Sequence, residues 1–149
     1  QDRTVWNHVE IARQKTRLLH ALAQSRPGPY QIQAAISALH CEAKSWALTD
    51  WPQICALYDA LFRLSPTPVI ALNRAVAQAH AGAPEAALRA LEPLIEPLKN
   101  YQPFYAARAE LHAQCGANDR ARSDLAHAIE ITSSNEEREF LKKKLQNLP

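Results

Sequence analysis

Apolar residues recur along the chain at the three- and four-residue spacing of amphipathic helices, and no segment shows the two-residue alternation of a strand. Ten prolines fall mostly between these apolar segments, and the chain has only three glycines. The pattern predicts an all-α protein of about eight helices. Their predicted ranges are 4–24, 29–45, 51–64, 68–81, 84–98, 102–115, 119–131 and 136–146.

Short polar side chains precede three of these helices, where they can accept a hydrogen bond from a first-turn amide. The predicted N-caps are Asp50, Asn118 and Asn135. Pro52 and Pro84 suit first-turn positions, where no amide donor is needed. Pro93 and Pro97 fall inside the fifth predicted segment, so we expect that helix to kink or to end early.

Similar residues recur along the chain at intervals of 34. The large apolar sets are Ile36, Ile70 and Phe104, and Leu57, Leu91 and Leu125; the small sets are Cys41, Ala75 and Ala109, Ala87 and Ala121, and Gly82 and Gly116. This is the period of tetratricopeptide repeats, in which small residues let two helices approach closely and a glycine turns the chain.

The period predicts a right-handed superhelix of about three tetratricopeptide-like helical hairpins, at about 32–65, 66–99 and 100–133, in one domain over residues 1–149. Helices 4–24 and 136–146 are its predicted caps. The repeat is degenerate, because the early aromatic residue of a first helix appears only as Tyr105 and Leu48 stands where the first unit would have glycine. An unrelated helical bundle is the alternative architecture.

Composition and charge narrow the function classes. The 149 residues are 47% hydrophobic, which is enough for a packed core, and the net charge of +2 is too balanced to predict nucleic-acid binding. Three widely spaced cysteines predict neither a disulfide framework nor a zinc site and suit the cytoplasm. No apolar run predicts a membrane span. Because the chain begins without methionine, we expect it to be part of a longer polypeptide.

A basic column in the 34-residue register comprises His40, Arg74 and Arg108, at a position that normally carries a buried leucine. Burying an unpaired guanidinium is costly, so we expect each side chain to reach a carboxylate or a helix-end carbonyl. The candidate carboxylates are Glu42, Asp59, Glu110 and Asp124. Two interpretations stay open: the arginines hold helices in register, or they face a groove that receives an acidic or C-terminal group.

The first helices of the hairpins predict a protein-binding groove. Its candidate polar contacts are Tyr30, Gln33, His40, Asn73, Arg74, Arg108 and His112. Asn73 stands where the middle asparagine of a co-chaperone carboxylate clamp would lie, but the matching positions of the other units are not cationic. Those positions are Ala38, Glu42, Pro103 and Ala107.

Aromatic and polar side chains form a secondary candidate cluster. Trp51, Tyr58 and Asp59 lie on one predicted helix, and such residues can anchor a protein partner. They can equally be core aromatics whose polar groups are satisfied.

Catalytic and cofactor motifs are not recognisable in the sequence. The six histidines show no metal-ligand spacing, three glycines are too few for a phosphate-binding loop, and no GxSxG motif is present. We therefore expect no enzyme activity, no cofactor, no metal ion and no DNA-binding residue in this chain.

Several stretches of the chain resemble one protein family. These are "RPGPYQIQAAISALHCEA", "TDWPQICALYDALFRLSPTPVIALNRAVA", "YAARAEL" and "NEEREFLKKKL". Together they are similar to the C-terminal extension of a group of bacterial extracytoplasmic-function sigma factors, over nearly all of residues 3–145. The most specific motif is TDW followed by LYD and then SPTPVIALNRAVA.

The resemblance implies a tetratricopeptide-like domain that regulates a sigma factor in place of a conventional anti-sigma protein. The implied partners are the upstream regions of the same sigma factor and the RNA polymerase core, with promoter DNA contacted only by regions absent from this chain. A small ferredoxin-fold protein related to the YCII type is a further implied partner. The alternative is a stand-alone peptide-binding scaffold unrelated to transcription.

Overall fold

The computed structural model describes residues 28–43 and 45–149, and all regular structure within these ranges is helical. The all-α prediction is confirmed. The predicted helix at 4–24 lies outside the described residues. The helices are α1 (Pro29–Glu42), α2 (Trp51–Leu64), α3 (Pro68–His80), α4 (Pro84–Leu91), α5 (Gln102–Gln114), α6 (Asn118–Ile131) and α7 (Asn135–Gln146), with 3-10 turns at Trp46–Leu48 and Glu92–Leu94.

The prolines delimit the helices as predicted. Pro52 and Pro84 occupy the first turns of α2 and α4. Helix α4 ends at Leu91, and the segment with Pro93 and Pro97 continues as a 3-10 turn and irregular turns, which confirms the expected early end.

One of the three predicted N-caps is confirmed. The Asp50 side chain accepts a hydrogen bond from the Gln53 amide at 3.0 Å, whereas Asn118 and Asn135 are the first residues inside their helices. Cys115, Gly116 and Ala117 link α5 to α6, and Ala117, the one residue after the glycine turn, occupies the N-cap position.

At the start of α7 the N-cap is Ser134, whose hydroxyl oxygen accepts a hydrogen bond from the Glu137 amide at 3.2 Å. The Thr132 hydroxyl donates to the Glu137 carboxylate at 2.8 Å. This second bond fixes the linking segment and leaves Asn135 in the first turn of the helix, where its side chain accepts from Arg138.

The described residues fall into two compact units that divide between Ile70 and Ala71. In the first unit α1 packs on α2. The buried apolar residues of the first unit are Ile32, Ala35, Ile36, Trp51, Ile54, Leu61 and Ile70.

The second unit has a continuous apolar core that joins the greater part of α3 to α4, α5, α6 and α7. Its most deeply buried residues are Leu91, Phe104, Leu111, Ala121, Ala128 and Leu141. Helices α5 and α6 form its most extensively packed hairpin, and α7 packs on α6.

Burial follows the 34-residue register at most positions. Ile36, Ile70 and Phe104 are all buried, as are the small residues Ala75, Ala109, Ala87 and Ala121. Of the recurring leucines, Leu91 and Leu125 are buried, but Leu57 is only half-buried, so the three positions are not equally buried. The first unit also departs at Leu48, which lies 68% exposed on the 3-10 turn.

Candidate functional site

Arg108 and Asp124 join the two helices of the α5–α6 hairpin. The Arg108 Nε donates to Asp124 Oδ2 at 2.8 Å, and Nη2 donates to Oδ1 at 2.5 Å, so the guanidinium grips the carboxylate with two parallel bonds. The Asp124 side chain is 8% exposed and that of Arg108 is 19% exposed. The hydrogen bond to Asp124 raises the pKa of Arg108 above its usual value.

Two aromatic rings lie under the Arg108 guanidinium. Its central carbon lies 5.0 Å from the ring centroid of Phe104 and 5.3 Å from that of Tyr105, within the range of cation–π attraction. The Tyr105 hydroxyl donates to the Lys99 carbonyl at 3.1 Å. Of the two interpretations of Arg108, this geometry favours the one in which the arginine holds helices in register, because its guanidinium is already hydrogen-bonded to both carboxylate oxygens of Asp124.

His112 lies one turn after Arg108 on α5, and its Nε2 is 3.9 Å from Asp124 Oδ2. Its Nδ1 is buried and has no hydrogen-bond partner among the described residues. Burial lowers the pKa of His112 first; the positive charges of Arg108 and Arg120 lower it further, against the opposing effect of Asp124. The neutral imidazole is therefore favoured at neutral pH.

Arg108 and His112 border a pocket of about 380 Å³ between α4, the following turn, α5 and the start of α6. The other lining residues are Glu85, Leu88, Arg89, Glu92, Ile95, Cys115, Ala117 and Arg120. Both cationic and acidic side chains line this pocket, so it offers no single sign of charge to a ligand.

A second pocket, of about 400 Å³, lies between α5, α6 and α7. We call it the α5–α7 groove, and it is lined by Ala109, Glu110, Ala113, Leu125, Phe140, Lys143, Lys144, Asn147 and Leu148. Lys144 Nζ donates to Glu110 Oε2 at 2.5 Å, and this contact lowers the pKa of the Glu110 carboxyl. The two residues stand one repeat period apart, as expected where equivalent helices stack side by side.

Sequence reasoning named Glu110 only as an ion-pair candidate and missed Phe140, Lys143 and Lys144 as groove residues. Two signals were present. The 34-residue register pairs position 110 with position 144, and Phe140 is the one aromatic residue in a highly charged helix. Phe140 is 61% exposed.

In the first unit three aromatic rings meet where α1 ends and α2 begins. The ring centroid of Trp51 lies 4.8 Å from that of Trp46 and 5.4 Å from that of His40. Trp51 is buried, so here the structure favours the core aromatic interpretation. Tyr58 and Asp59 are half-buried, and burial raises the pKa of the Tyr58 hydroxyl. Trp46, which is 55% exposed, was missed from the sequence.

The remaining predicted groove residues lie at exposed positions. Tyr30 is 84% exposed, and Gln33, Asn73 and Arg74 are exposed as well. The expected burial of Arg74 is wrong, because Leu72 and Ala75 face the core and the helical phase turns Asn73 and Arg74 outward. Tyr30, Gln33 and His40 belong to the first unit. Of the seven candidates, the structure brings Arg108 and His112 into one pocket.

Neither a metal site nor a membrane-spanning helix is found within the described ranges, 28–43 and 45–149. No set of three or more histidine, cysteine or carboxylate side chains is arranged there to hold a metal ion. No helix within them has the length and apolar character needed to cross a bilayer.

The chain is similar to an uncharacterized protein of Rhizobium meliloti (strain 1021). The two are 42% identical over 148 residues, which is 99% of this chain and 35% of the relative. The chain thus spans about a third of the length of the protein that it matches. No protein-family profile matches the chain. No solved structure matches it either.

Proposed function

We propose that this chain is a protein-interaction domain that regulates an alternative sigma factor of the extracytoplasmic-function type in the bacterial cytoplasm. The observation that carries the proposal is the resemblance of the TDW, LYD and SPTPVIALNRAVA stretches to the C-terminal extension of those sigma factors. The helical-repeat packing supports it, since stacked helix pairs expose extended surfaces for protein partners.

The residues of these stretches have identifiable structural roles. Thr49 is buried, Asp50 caps α2 and Trp51 lies in the aromatic cluster. In the SPTPV part the Thr67 hydroxyl oxygen accepts a hydrogen bond from the Ile70 amide at 3.2 Å at the start of α3. The motif therefore encodes helix starts and core positions, which supports a shared fold more directly than a shared contact surface.

The extent of the similarity to the Rhizobium protein agrees with the proposal. The relative is nearly three times as long as the matched segment, so it has room for polymerase-binding and promoter-reading regions beside a domain of this kind. In our proposal the complete polypeptide binds the RNA polymerase core through those regions, and this domain contacts them or a separate protein of the YCII type.

The test is reconstitution with RNA polymerase. The complete polypeptide that carries this chain is mixed with purified core RNA polymerase and analysed by size-exclusion chromatography, with the isolated 149-residue chain as the control. We expect the complete polypeptide to co-elute with core polymerase and its coding sequence to encode a helix-turn-helix before Gln1. A coding sequence with no such region, or a complete polypeptide that elutes apart from the polymerase, would support the stand-alone scaffold instead.

A YCII-type partner is tested in the same way. The purified YCII-type protein is added to the complete polypeptide, and a shared elution peak is the expected result. Separate peaks would remove that protein from the proposal and leave the upstream regions as the partner of this domain.

A further inference from the structure

The α5–α7 groove combines an apolar floor with a cationic rim. Ala109, Ala113, Leu125 and Leu148 supply the apolar surface, and Phe140 stands 61% exposed on the α7 wall. A large aromatic side chain left open beside a concave apolar surface is typical of a recognition site rather than of a solvated helix face. The volume of about 400 Å³ lies within the range of binding pockets.

Three successive lysines of α7, at and beside the rim, differ in their partners. Lys144 and Glu110 neutralise each other through their hydrogen bond. The neighbouring Lys142 is held by Glu139, whose carboxylate accepts its hydrogen bond at 2.9 Å. No hydrogen bond or ion pair within residues 28–43 and 45–149 engages the ammonium of Lys143, which lines the groove. The groove therefore presents, next to an exposed aromatic ring, one uncommitted positive charge, meaning an ammonium without a hydrogen bond or ion pair, which acts on the Glu139 carboxylate at longer range.

We propose that the α5–α7 groove binds an acidic amphipathic segment of a protein partner. An apolar side chain of that segment enters the groove against Phe140, and an Asp or Glu at its edge pairs with Lys143. Charge complementarity selects this occupant, because the uncommitted charge at the rim is positive and the floor accepts only apolar groups. The inference deepens the proposed function and rests on it in one respect, that the domain binds protein.

The binding test uses the whole 149-residue chain and two fluorescein-labelled helical peptides. The first has Leu and Phe on one face and Glu on the other, and the second has Lys in place of every Glu. Fluorescence anisotropy is expected to show saturable binding of the acidic peptide, about tenfold or more tighter than that of the basic peptide, with affinity that falls as salt is added. Equal affinities, or no binding of the acidic peptide, would overturn the proposal.

Substitutions then locate the site. Phe140→Ala and Lys143→Glu should each weaken binding of the acidic peptide about tenfold or more. The matched control is Lys142→Ala, which removes the adjacent lysine outside the groove lining and should change the affinity less than about twofold. Because Phe140 and Lys143 are both exposed, the variants should keep the helical content and Tm of the parent. Peptide binding that survives both groove substitutions would overturn the assignment.

A second copy of the chain is the competing occupant. Sedimentation velocity of the wild type and Phe140→Ala should show the same monomeric species, and a dimer that Phe140→Ala dissociates would overturn the proposal. None of these measurements involves RNA polymerase. A failure of the groove is therefore distinguishable from a failure of the sigma-factor assignment, which only the polymerase reconstitution tests.

Discussion

Gly82 and Gly116 close α3 and α5 with the same two hydrogen bonds, one repeat period apart. The amide of each glycine donates to the carbonyl three residues earlier, at 3.0 Å in both helices. The next amide donates five residues back, from Ala83 to Gln78 at 3.2 Å and from Ala117 to His112 at 2.8 Å. Both glycines have positive φ, 102° and 74°, which L side chains adopt only with strain. The two hairpins thus turn by one mechanism.

Replacing Gly116 with alanine tests this turn. No atom lies within 4 Å of the position that a Cβ would take, so the cost is the left-handed backbone alone, about 1 kcal/mol of unfolding free energy. Urea unfolding followed by circular dichroism measures it. Gly116→Asn is the control, because asparagine adopts the left-handed region with less strain than alanine, and it should lose less than about 0.5 kcal/mol. Equal losses in the two variants would contradict the turn assignment.

The Arg108–Asp124 pair should behave as a buried ion pair. Arg108→Ala leaves the Asp124 carboxylate buried without its bidentate partner and should cost about 3 kcal/mol of unfolding free energy. The double variant Arg108→Met, Asp124→Leu removes both charges and should lie within about 1 kcal/mol of the wild type. Urea unfolding of the three proteins decides. A loss below about 1 kcal/mol for Arg108→Ala would place the pair among exposed salt bridges instead.

The leucine column should contribute unequally to stability. Leu91→Ala and Leu125→Ala each leave a cavity in the core of the second unit and should cost about 2 to 5 kcal/mol. Leu57→Ala should cost less, because Leu57 is half-buried. Thermal and urea unfolding of the three variants test this order. A Leu57 variant as unstable as the other two would show that all three leucines occupy equivalent core positions.

His112 should make stability depend on pH. Its pKa in the folded protein lies below the unfolded value of about 6.5, so below about pH 6.5 the unfolded chain binds a proton that the folded protein does not. Stability is therefore complete above about pH 6.5 and decreases as the pH falls toward the folded pKa.

Urea midpoints at about pH 7.5 and pH 5.5 measure this effect. The wild type should lose more stability between them than His112→Asn, since asparagine does not titrate. His80→Asn is a useful comparison, because burial also lowers the pKa of His80, although Glu110 opposes the shift. An unchanged pH dependence in His112→Asn would contradict the burial of this imidazole.

The helix pattern could be predicted from the sequence because prolines and glycines mark the ends of its helices. Asn118 could not be placed correctly, since after the turn at Gly116 the next residue, Ala117, takes the N-cap position and the helix starts one position earlier than predicted. The period alone also treats Arg74 and Arg108 as equivalent. Only Arg108 has a carboxylate at the matching position of the second helix; the residue one period before Asp124 is Ala90.

The α5–α7 groove could not be predicted from the sequence, for a different reason. The sequence alone does not distinguish the roles of the adjacent residues Lys142, Lys143 and Lys144. Their roles depend on the helical phase and on the positions of Glu110 and Glu139. The exposure of Phe140 likewise depends on how α7 packs on α6. Only the packed structure shows which of these lysines has a carboxylate partner.

Run-off transcription tests the regulatory role most directly. The complete polypeptide and a shortened form that ends before Gln1 are each combined with core RNA polymerase and a promoter template. We predict promoter-specific initiation by the complete polypeptide, at a level that changes when residues 1–149 are removed. Initiation at the same level by both forms, or no promoter-specific initiation by the complete polypeptide, would contradict the account.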